Sequence, residues 1–185
     1  MEDRIEMTTP FTDETIKKLN AGDMVYLSGT VYTARDAAHK KMCELLEKGE
    51  SMPFDFTGAV IYYAGPCPAK PGRPIGSVGP TTSGRMDLYT PTLMKEGLRV
   101  MIGKGLRNQE VIDSIIRYSG VYFAAIGGAA ALMGQSVENS EIIAFDELGT
   151  EAVRKLHVKN LPVIVAIDCK GNNIYEKGRA AFAHH

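Results

Sequence analysis

The sequence predicts a single α/β domain in which helices layer onto a mixed or parallel sheet. The length of 185 residues suits one domain, which we take as residues 1–185. Apolar residues make up 44% and charged residues 23%, which is typical of a globular protein with a buried core. Strand-like and helix-like segments alternate along the chain, and this alternation favours a sheet covered by helices.

The first half of the chain predicts two helices and two strands. Thr12 or Asp13 is placed to open the first helix, and Thr33 to cap the second. Gly49 ends the second helix, because glycine accepts the left-handed backbone that closes helices. Valine, tyrosine and threonine dominate the strand segments. The predicted elements are a helix at 12–20, a strand at 24–32, a helix at 34–48 and a strand at 59–64.

Residues 65–84 form a long segment in which half the residues are glycine or proline. Such a composition predicts no regular helix or strand. A structureless stretch of this length is usually a functional loop or a linker. The linker interpretation is weak, because a patterned, apolar chain resumes at Asp87. The segment therefore predicts a functional loop.

The second half continues the alternation of helices and strands. Asn108 is placed to cap a helix with Val111, Ile112, Ile115 and Ile116 on one side. A turn at 168–172 should join the last long strand to a short one near 174–175. The remaining predicted elements are a helix at 91–96, strands at 99–102, 121–126, 142–145 and 162–167, and a small-residue helix opened by Gly127 and Gly128.

Arg35 lies in the first turn of the predicted helix at 34–48, directly after a strand. The amino end of a helix favours an anion and disfavours a cation. A bound carboxylate would relieve this arrangement, but for Arg35 taken alone pairing with Asp36 or another surface acid is the more common arrangement. His39, four residues on, is typical of a packed or surface histidine.

The segment 79–87, with the sequence GPTTSGRMD, places three hydroxyls between glycines and ahead of Arg85. Glycines let a backbone approach a ligand closely, and hydroxyls donate to or accept from a small polar molecule. The Arg85 guanidinium can bind a carboxylate with two parallel hydrogen bonds. The alternative is a solvated turn whose hydroxyls cap the next helix.

Lys104 follows a strand between Gly103 and Gly105, where it either reaches a ligand or occupies a tight turn. The segment is not a nucleotide-binding P-loop, because Gly105 stands where Ser or Thr would bind magnesium. Arg35, Arg85 and Lys104 together suit a ligand with two carboxylates. The sequence pattern indicates no complete catalytic set beside them.

Several classes of site and partner are not expected. The net charge of −1 gives no electrostatic reason to bind nucleic acid or an anionic membrane. No apolar run approaches the roughly 20 residues that span a bilayer, and the acidic first residues are untypical of a signal peptide. We therefore expect a cytoplasmic protein. Cys43, Cys67 and Cys169 are few and far apart, so we expect no disulfide framework and no metal site in this chain.

Four segments, taken together, resemble one known family. They are 28–42 (SGTVYTARDAAHKKM), 79–87 (GPTTSGRMD), 101–105 (MIGKG) and 122–132 (YFAAIGGAAAL). The resemblance is to the β subunit, or C-terminal domain, of class I fumarase and L-tartrate dehydratase, and it extends over about residues 19–177. It implies a swivelling β/β/α-type domain packed on an α subunit in a hetero-oligomer.

The resemblance also implies which catalytic groups belong to the α subunit and which belong to this chain. The α subunit would hold a 4Fe-4S cluster through three cysteines, and the substrate hydroxyl would leave toward its iron. Arg35, Arg85 and Lys104 would bind the substrate carboxylates. Thr81 would take the proton from carbon, as base or relay, and Ser83 stands where alanine is familiar in the family. The leading expectation is reversible hydration of fumarate to malate. Tartrate dehydration to oxaloacetate and a non-catalytic carboxylate-binding module are the alternatives.

The loop and the partner are connected in this interpretation. The domain's own sheet should fix the loop near Arg85, with Met86 and Leu88 packing inward. The rest of residues 65–84 should be completed by the α subunit. We expect a cleft that lacks one wall in the isolated chain and is lined by Arg35, Thr81, Arg85 and Lys104, with exposed apolar residues around it as the docking face.

Overall fold

The computed structural model describes residues 5–125 and 130–176 of the chain. This part contains seven strands and five α-helices. The strands are β1 (Ile5–Thr8), β2 (Met24–Thr33), β3 (Val60–Tyr62), β4 (Val100–Gly103), β5 (Val121–Ala125), β6 (Val137–Ala144) and β7 (Val153–Ile167). The helices are α1 (Asp13–Lys17), α2 (Asp36–Lys48), α3 (Thr90–Lys95), α4 (Gln109–Arg117) and α5 (Ala130–Gln135).

The strands form one mixed sheet that closes on itself. β2, β3, β4 and β5 are parallel neighbours in that order. β7 runs antiparallel to both β5 and β2, so it joins the two ends of the parallel set into a ring. β1 adds to β2, and β6 adds to β7. Closure gives two β layers within one sheet, which leaves few strand edges exposed.

Alternation along the strands divides the core into two clusters. Val60 and Tyr62 belong to one cluster, whereas Ile61 and Tyr63 belong to the other, because successive strand residues point to opposite faces. The first cluster fills the ring and the second packs beneath helices α2, α3 and α4. The predicted α/β class, a layered β/β/α-type domain with a mixed sheet, is confirmed.

Most predicted helix ends are confirmed, with one exception. Thr12 caps α1 and Asn108 caps α4 through their side chains, and Gly49 closes α2 with a left-handed backbone. The prediction that Thr33 caps a helix is wrong. Thr33 is the last residue of β2, and its hydroxyl accepts a hydrogen bond from the Arg154 backbone in β7 at 3.3 Å.

Other differences follow from strand pairing. β1, the first half of β6 and the first half of β7 were not predicted, because these segments contain many polar residues on exposed faces. The short strand expected near 174–175 is wrong: Asn173 makes one bridge to Ile167, and 174–176 are helical. Gly127 and Gly128 lie outside the described residues. Within the described ranges, no helix has the length and apolar character needed to cross a membrane.

Candidate active site

The predicted site residues lie at the carboxyl ends of three neighbouring parallel strands. Arg35 comes two residues after β2, and Lys104 directly follows β4. Thr81 is tied to the end of β3, because its backbone N–H donates to the Tyr63 carbonyl at 2.7 Å. The carboxyl ends of parallel strands are where open α/β sheets bind ligands. The fold thus brings three loops that are distant in sequence to one end of the sheet.

The turn that follows Thr81 is fastened to the loop that contains Lys104. Thr82 and Lys104 form a parallel bridge, and the Ser83 N–H donates to the Lys104 carbonyl at 2.9 Å. A short 3-10 helix then spans Ser83–Met86 and presents Arg85 in its last turn. Arg85 and Lys104 are exposed, whereas Thr81 is half-buried.

Ser83 is fully buried and joins these two loops from beneath. Its Oγ accepts a hydrogen bond from the Lys104 N–H at 2.9 Å and lies 2.8 Å from the Tyr122 hydroxyl. Tyr122 donates its own proton to the Gly105 carbonyl at 2.8 Å, so Ser83 supplies the proton between the two hydroxyls. Gly103 is required here, because a Cβ would collide with Ser83 Oγ. The serine that departs from the familiar alanine therefore has a definite structural role.

A buried ion pair fixes the far end of the same turn. The Arg107 Nε donates to Asp87 Oδ1 at 2.6 Å, and the Asn108 N–H donates to Asp87 Oδ2 at 2.7 Å. The Arg107 guanidinium also donates to the Thr90 hydroxyl at 2.9 Å and to the Tyr63 hydroxyl at 3.3 Å. A buried charge is tolerated when it is paired and hydrogen-bonded in this way.

His39 is packed below the site, as its ordinary interpretation predicted. Its ring is fully buried and meets the Tyr63 ring edge-on, with centroids 5.3 Å apart. Nδ1 lies 2.8 Å from the Arg35 carbonyl, so the neutral ring donates there. Burial lowers the pKa of His39 to about 4, which keeps the ring uncharged at neutral pH.

Arg35 pairs with acids of its own chain, the alternative that the sequence left open. Its Nε lies 3.2 Å from Glu151 Oε1, and its Nη2 lies 3.7 Å from Asp36 Oδ1. Burial raises the pKa of the Glu151 carboxyl; Arg35 and Arg85 act against this rise, whereas Asp36 adds to it. The two arginines therefore act on one carboxylate. The expected cleft that they share with Thr81 and Lys104 stays a prediction.

The glycine- and proline-rich loop has two unlike parts. Its middle is closed by two backbone hydrogen bonds: the Cys67 N–H donates to the Ser77 carbonyl, and the Gly76 N–H donates to the Cys67 carbonyl. Ile75 and Val78 are buried. Residues 67–74 are all exposed. The loop therefore stabilises itself more than its composition predicted. The expectation that Met86 packs inward is confirmed, but the same expectation for Leu88 is wrong, because Leu88 is 79% exposed.

Sequence reasoning missed two of the most important supporting residues. Glu151 lies in a 3-10 segment, Asp146–Glu151, far from Arg35 in the chain, and no local pattern connects them. Arg107 carried a weak signal, because it directly precedes the Asn108 cap and lies close to Lys104 in sequence. A charged residue between a short glycine-rich loop and a helix with an apolar side is a candidate for a buried ion pair.

The cysteines do not form a ligand set for an iron–sulfur cluster. Cys43 packs against the cluster beneath the helices, whereas Cys169 packs against the cluster inside the ring. Cys67 is exposed on the loop. Across residues 5–125 and 130–176, no group of three or more His, Cys, Asp or Glu side chains is arranged to hold a metal ion. These residues therefore do not fit a cluster.

Comparison with known proteins gives consistent matches. The model of the family described as Fumarase C-terminus matches residues 1–178. A Methanocaldococcus jannaschii protein, provisionally named L(+)-tartrate dehydratase subunit beta, is 44% identical over 172 residues, 90% of this chain and 88% of that protein. The anaerobic class I fumarate hydratase of Escherichia coli is 41% identical over 153 residues, 82% of this chain but 28% of the enzyme. The aerobic class I enzyme of Salmonella typhimurium is 35% identical over 178 residues, 94% of this chain and 31% of that enzyme.

Proposed function

We propose a function for this chain from one premise: the chain belongs to the fumarase C-terminus family. The proposed function is that of the β subunit of an iron–sulfur hydro-lyase, which adds water to a dicarboxylate or removes it together with an α subunit. The leading reaction is reversible hydration of fumarate to malate. The chain spans less than a third of the two fumarate hydratases described above. We propose that an α subunit supplies the rest of the enzyme.

One observation supports this proposal most strongly. Ser83, in the turn that leads to Arg85, is hydrogen-bonded to the Lys104 backbone, so two exposed cations belong to a pair of loops that are joined to each other. Fixed cations next to a turn that contains threonine and serine hydroxyls suit a small carboxylate substrate that is deprotonated during the reaction. The Arg85 fork and the Lys104 ammonium would each engage a carboxylate, and Arg35 would bind beside Arg85.

The chemistry explains the choice of residues. Dehydration removes a weakly acidic proton from the carbon next to a carboxylate, and negative charge then spreads into that carboxylate. Cations already fixed around it stabilise this charge more than they stabilise the substrate. Thr81 is the proposed residue that moves the proton. A threonine hydroxyl is a poor base, so the neighbouring cations must favour its ionised form or Thr81 must relay the proton.

The partner is proposed to supply what this chain lacks. We place the 4Fe-4S cluster on the α subunit, because the three thiols of this chain do not fit one. Leu88 is 79% exposed and directly follows Asp87 in the sequence. Leu106 is 46% exposed and directly precedes Arg107, the partner of Asp87 in the buried ion pair. Exposed leucines rimmed by charge are typical of a docking face. The α subunit would cover them and form the missing wall.

Tartrate is a second candidate substrate, and one observation favours it. The tartrate dehydratase subunit is 44% identical to this chain, against 41% for the anaerobic fumarate hydratase. Tartrate and malate differ by one hydroxyl, and the pocket is shared with the α subunit. A cytoplasmic location stays a prediction.

Anaerobic assays of the chain with and without an α subunit test the proposal. The chain alone should be colourless, bind no iron after reconstitution with iron and sulfide, and turn over neither fumarate nor L-tartrate. The assembled pair should hydrate fumarate, and the ratio of kcat/KM values for the two substrates then identifies the reaction. Turnover or a stoichiometric cluster in the chain alone would contradict the need for a partner. A stable pair that binds dicarboxylates without turnover would instead identify a non-catalytic module.

A further inference from the structure

The Arg35 side chain lies in a slot between two backbone segments. Gly65 forms one side, because a Cβ there would stand 3.2 Å from Arg35 Cδ and 3.3 Å from Arg35 Nη1. The same Cβ would stand 3.1 Å from the Thr150 carbonyl oxygen. Contacts of 3.0–3.4 Å are tighter than most real Cβ contacts, so glycine is the residue that lets the three segments meet. The slot restricts where the Arg35 stem can go.

Glu151 lies next to the Arg35 guanidinium, with its Oε1 3.2 Å from Arg35 Nε. Both atoms are buried and neither has a hydrogen-bond partner among the described residues, so the contact is an ion pair. Asp36 lies farther away, 3.7 Å from Nη2. An acid held at Nε limits rotation of the guanidinium. A substrate carboxylate would compete with Asp36 for the two terminal nitrogens, where it could form a bidentate pair.

The segment that contains Glu151 is anchored without help from Glu151. Lys41 on α2 forms an ion pair with Glu147 and lies over the Phe145 ring at 5.3 Å. Val153, two residues past Glu151, is fully buried in the cluster beneath the helices. The Asp146–Glu151 segment is therefore fixed by contacts on both sides of Glu151. None of these contacts uses the Glu151 carboxylate, so its charge can interact with Arg35.

We propose that Glu151 is a positioning residue for Arg35, fixing Nε so that the terminal guanidinium nitrogens are presented to a substrate carboxylate. This rests on the proposed function, in which Arg35 binds that carboxylate. The need for such a partner follows from the position of Arg35. It stands at the amino end of α2, where the helix dipole repels a cation. Without a fixed acid behind it, the side chain would turn outward to water.

A double-mutant cycle in the assembled enzyme tests the proposal. Glu151→Gln keeps the size of the side chain and removes its charge. We expect kcat/KM for the dicarboxylate to fall by about 10- to 100-fold, as for other residues that orient a ligand-binding group. The loss should appear more in KM than in kcat, because Arg35 holds the carboxylate in both the ground state and the transition state. In an Arg35→Ala background, Glu151→Gln should cause no further loss.

Two controls separate positioning from structure. Glu44→Gln breaks an exposed ion pair with Lys40 on α2, and its kcat/KM should stay within about twofold of wild type because an exposed pair contributes little. Glu151→Asp should restore part of the lost activity. Losses that multiply between Glu151→Gln and Arg35→Ala, or a Glu151→Gln enzyme equal to wild type, would overturn the proposal.

A crystal structure of the Glu151→Gln chain gives a readout that does not depend on activity. The Arg35 guanidinium should leave its position next to residue 151, and an unmoved guanidinium would overturn the positioning role. Absence of hydro-lyase activity in the wild-type complex would contradict the proposed function instead. The two failures are therefore distinguishable.

Discussion

Two parts of one glycine- and proline-rich loop behave in opposite ways. The turn at residues 81–87 is bonded to β3, to the Lys104 loop and, through Asp87, to the buried Arg107. The tip at residues 67–74 is exposed throughout. Both parts have turn-like sequences, and the difference between them is in what lies beneath. The turn covers the ends of three strands, whereas the tip extends past them.

The comparison indicates where this chain is complete and where it is not. A site that moves a proton must hold its groups to a fraction of an ångström, and the chain does this for the turn alone. Within the part of the chain that the structure describes, no backbone hydrogen bond joins the tip to a strand of the sheet. We infer that the turn is fixed by folding and that the tip is fixed by assembly with a partner.

Loss of the Asp87–Arg107 pair should have the largest effect. Asp87→Ala leaves the Arg107 charge buried without its acid, so the free energy of unfolding should fall by about 3–5 kcal/mol. Urea denaturation of the isolated chain measures this. Glu141→Ala, which removes the exposed pair with Lys155, is the control and should cost less than about 1 kcal/mol. Equal losses in the two variants would mean that the turn is not fastened by this pair.

Acid should weaken the anchored turn through His39. The pKa of His39 is about 4 in the folded chain and 6.5 in its ordinary state. Between these values the unfolded chain binds a proton that the folded chain does not, so stability falls as pH falls from about 6.5 to about 4. The loss should be on the order of 3 kcal/mol. Urea denaturation of the isolated chain at pH values between about 4 and 6.5 measures this loss. In His39→Phe, the free energy of unfolding should depend less on pH over this range. The same pH dependence in the variant and the wild type would contradict the lowered pKa of His39.

The exposed cation of the turn should matter for catalysis and not for folding. In the assembled enzyme, Arg85→Ala should lower kcat/KM. The expected fall corresponds to a loss of about 2–4 kcal/mol in transition-state stabilisation. Its effect on the free energy of unfolding should be within about 0.5 kcal/mol. Arg117→Ala, an exposed arginine at the far end of α4, is the matched control. Near-wild-type kinetics for Arg85→Ala would refute the site.

Two serines of the same loop give the finest comparison. Ser83→Ala removes the hydroxyl that bonds the Lys104 N–H and Tyr122, and it should cost about 1–2 kcal/mol. Ser77→Ala, an exposed serine near the tip, should change stability by less than about 0.5 kcal/mol. Thermal or urea unfolding of the isolated chains distinguishes them. A neutral Ser83→Ala would mean that the two loops are held by the backbone alone.

The sequence predicted the helices and strands whose signals lie in residues close together in the chain. Capping side chains, apolar stripes and valine-rich strands depend on near neighbours, so Thr12, Asn108 and Gly49 were recognised. Ring closure was not predictable, because β7 pairs with both β2 and β5 only after the whole sheet has formed. The polar residues of β6 and early β7 gave no strand signal for the same reason.

The candidate site followed a similar division. Arg35, Arg85 and Lys104 were predicted as site residues because they stand beside glycines or helix starts in the sequence, and their roles stay a prediction. The residues that hold them, Arg107 and Glu151, act across the fold and were missed. Leu88 was expected to pack inward, but its position after the buried Asp87 turns it outward.

Hydrogen exchange of the chain, with and without the α subunit, tests the central claim most directly. The amides of Thr81, Ser83, Arg85 and Asp87 should be protected in both states, because they donate hydrogen bonds within the chain itself. In the tip, residues 69–72 should exchange quickly in the isolated chain and gain strong protection on assembly. Equal exchange at the tip in both states would contradict the claim, because the loop would then not be where the partner completes the site.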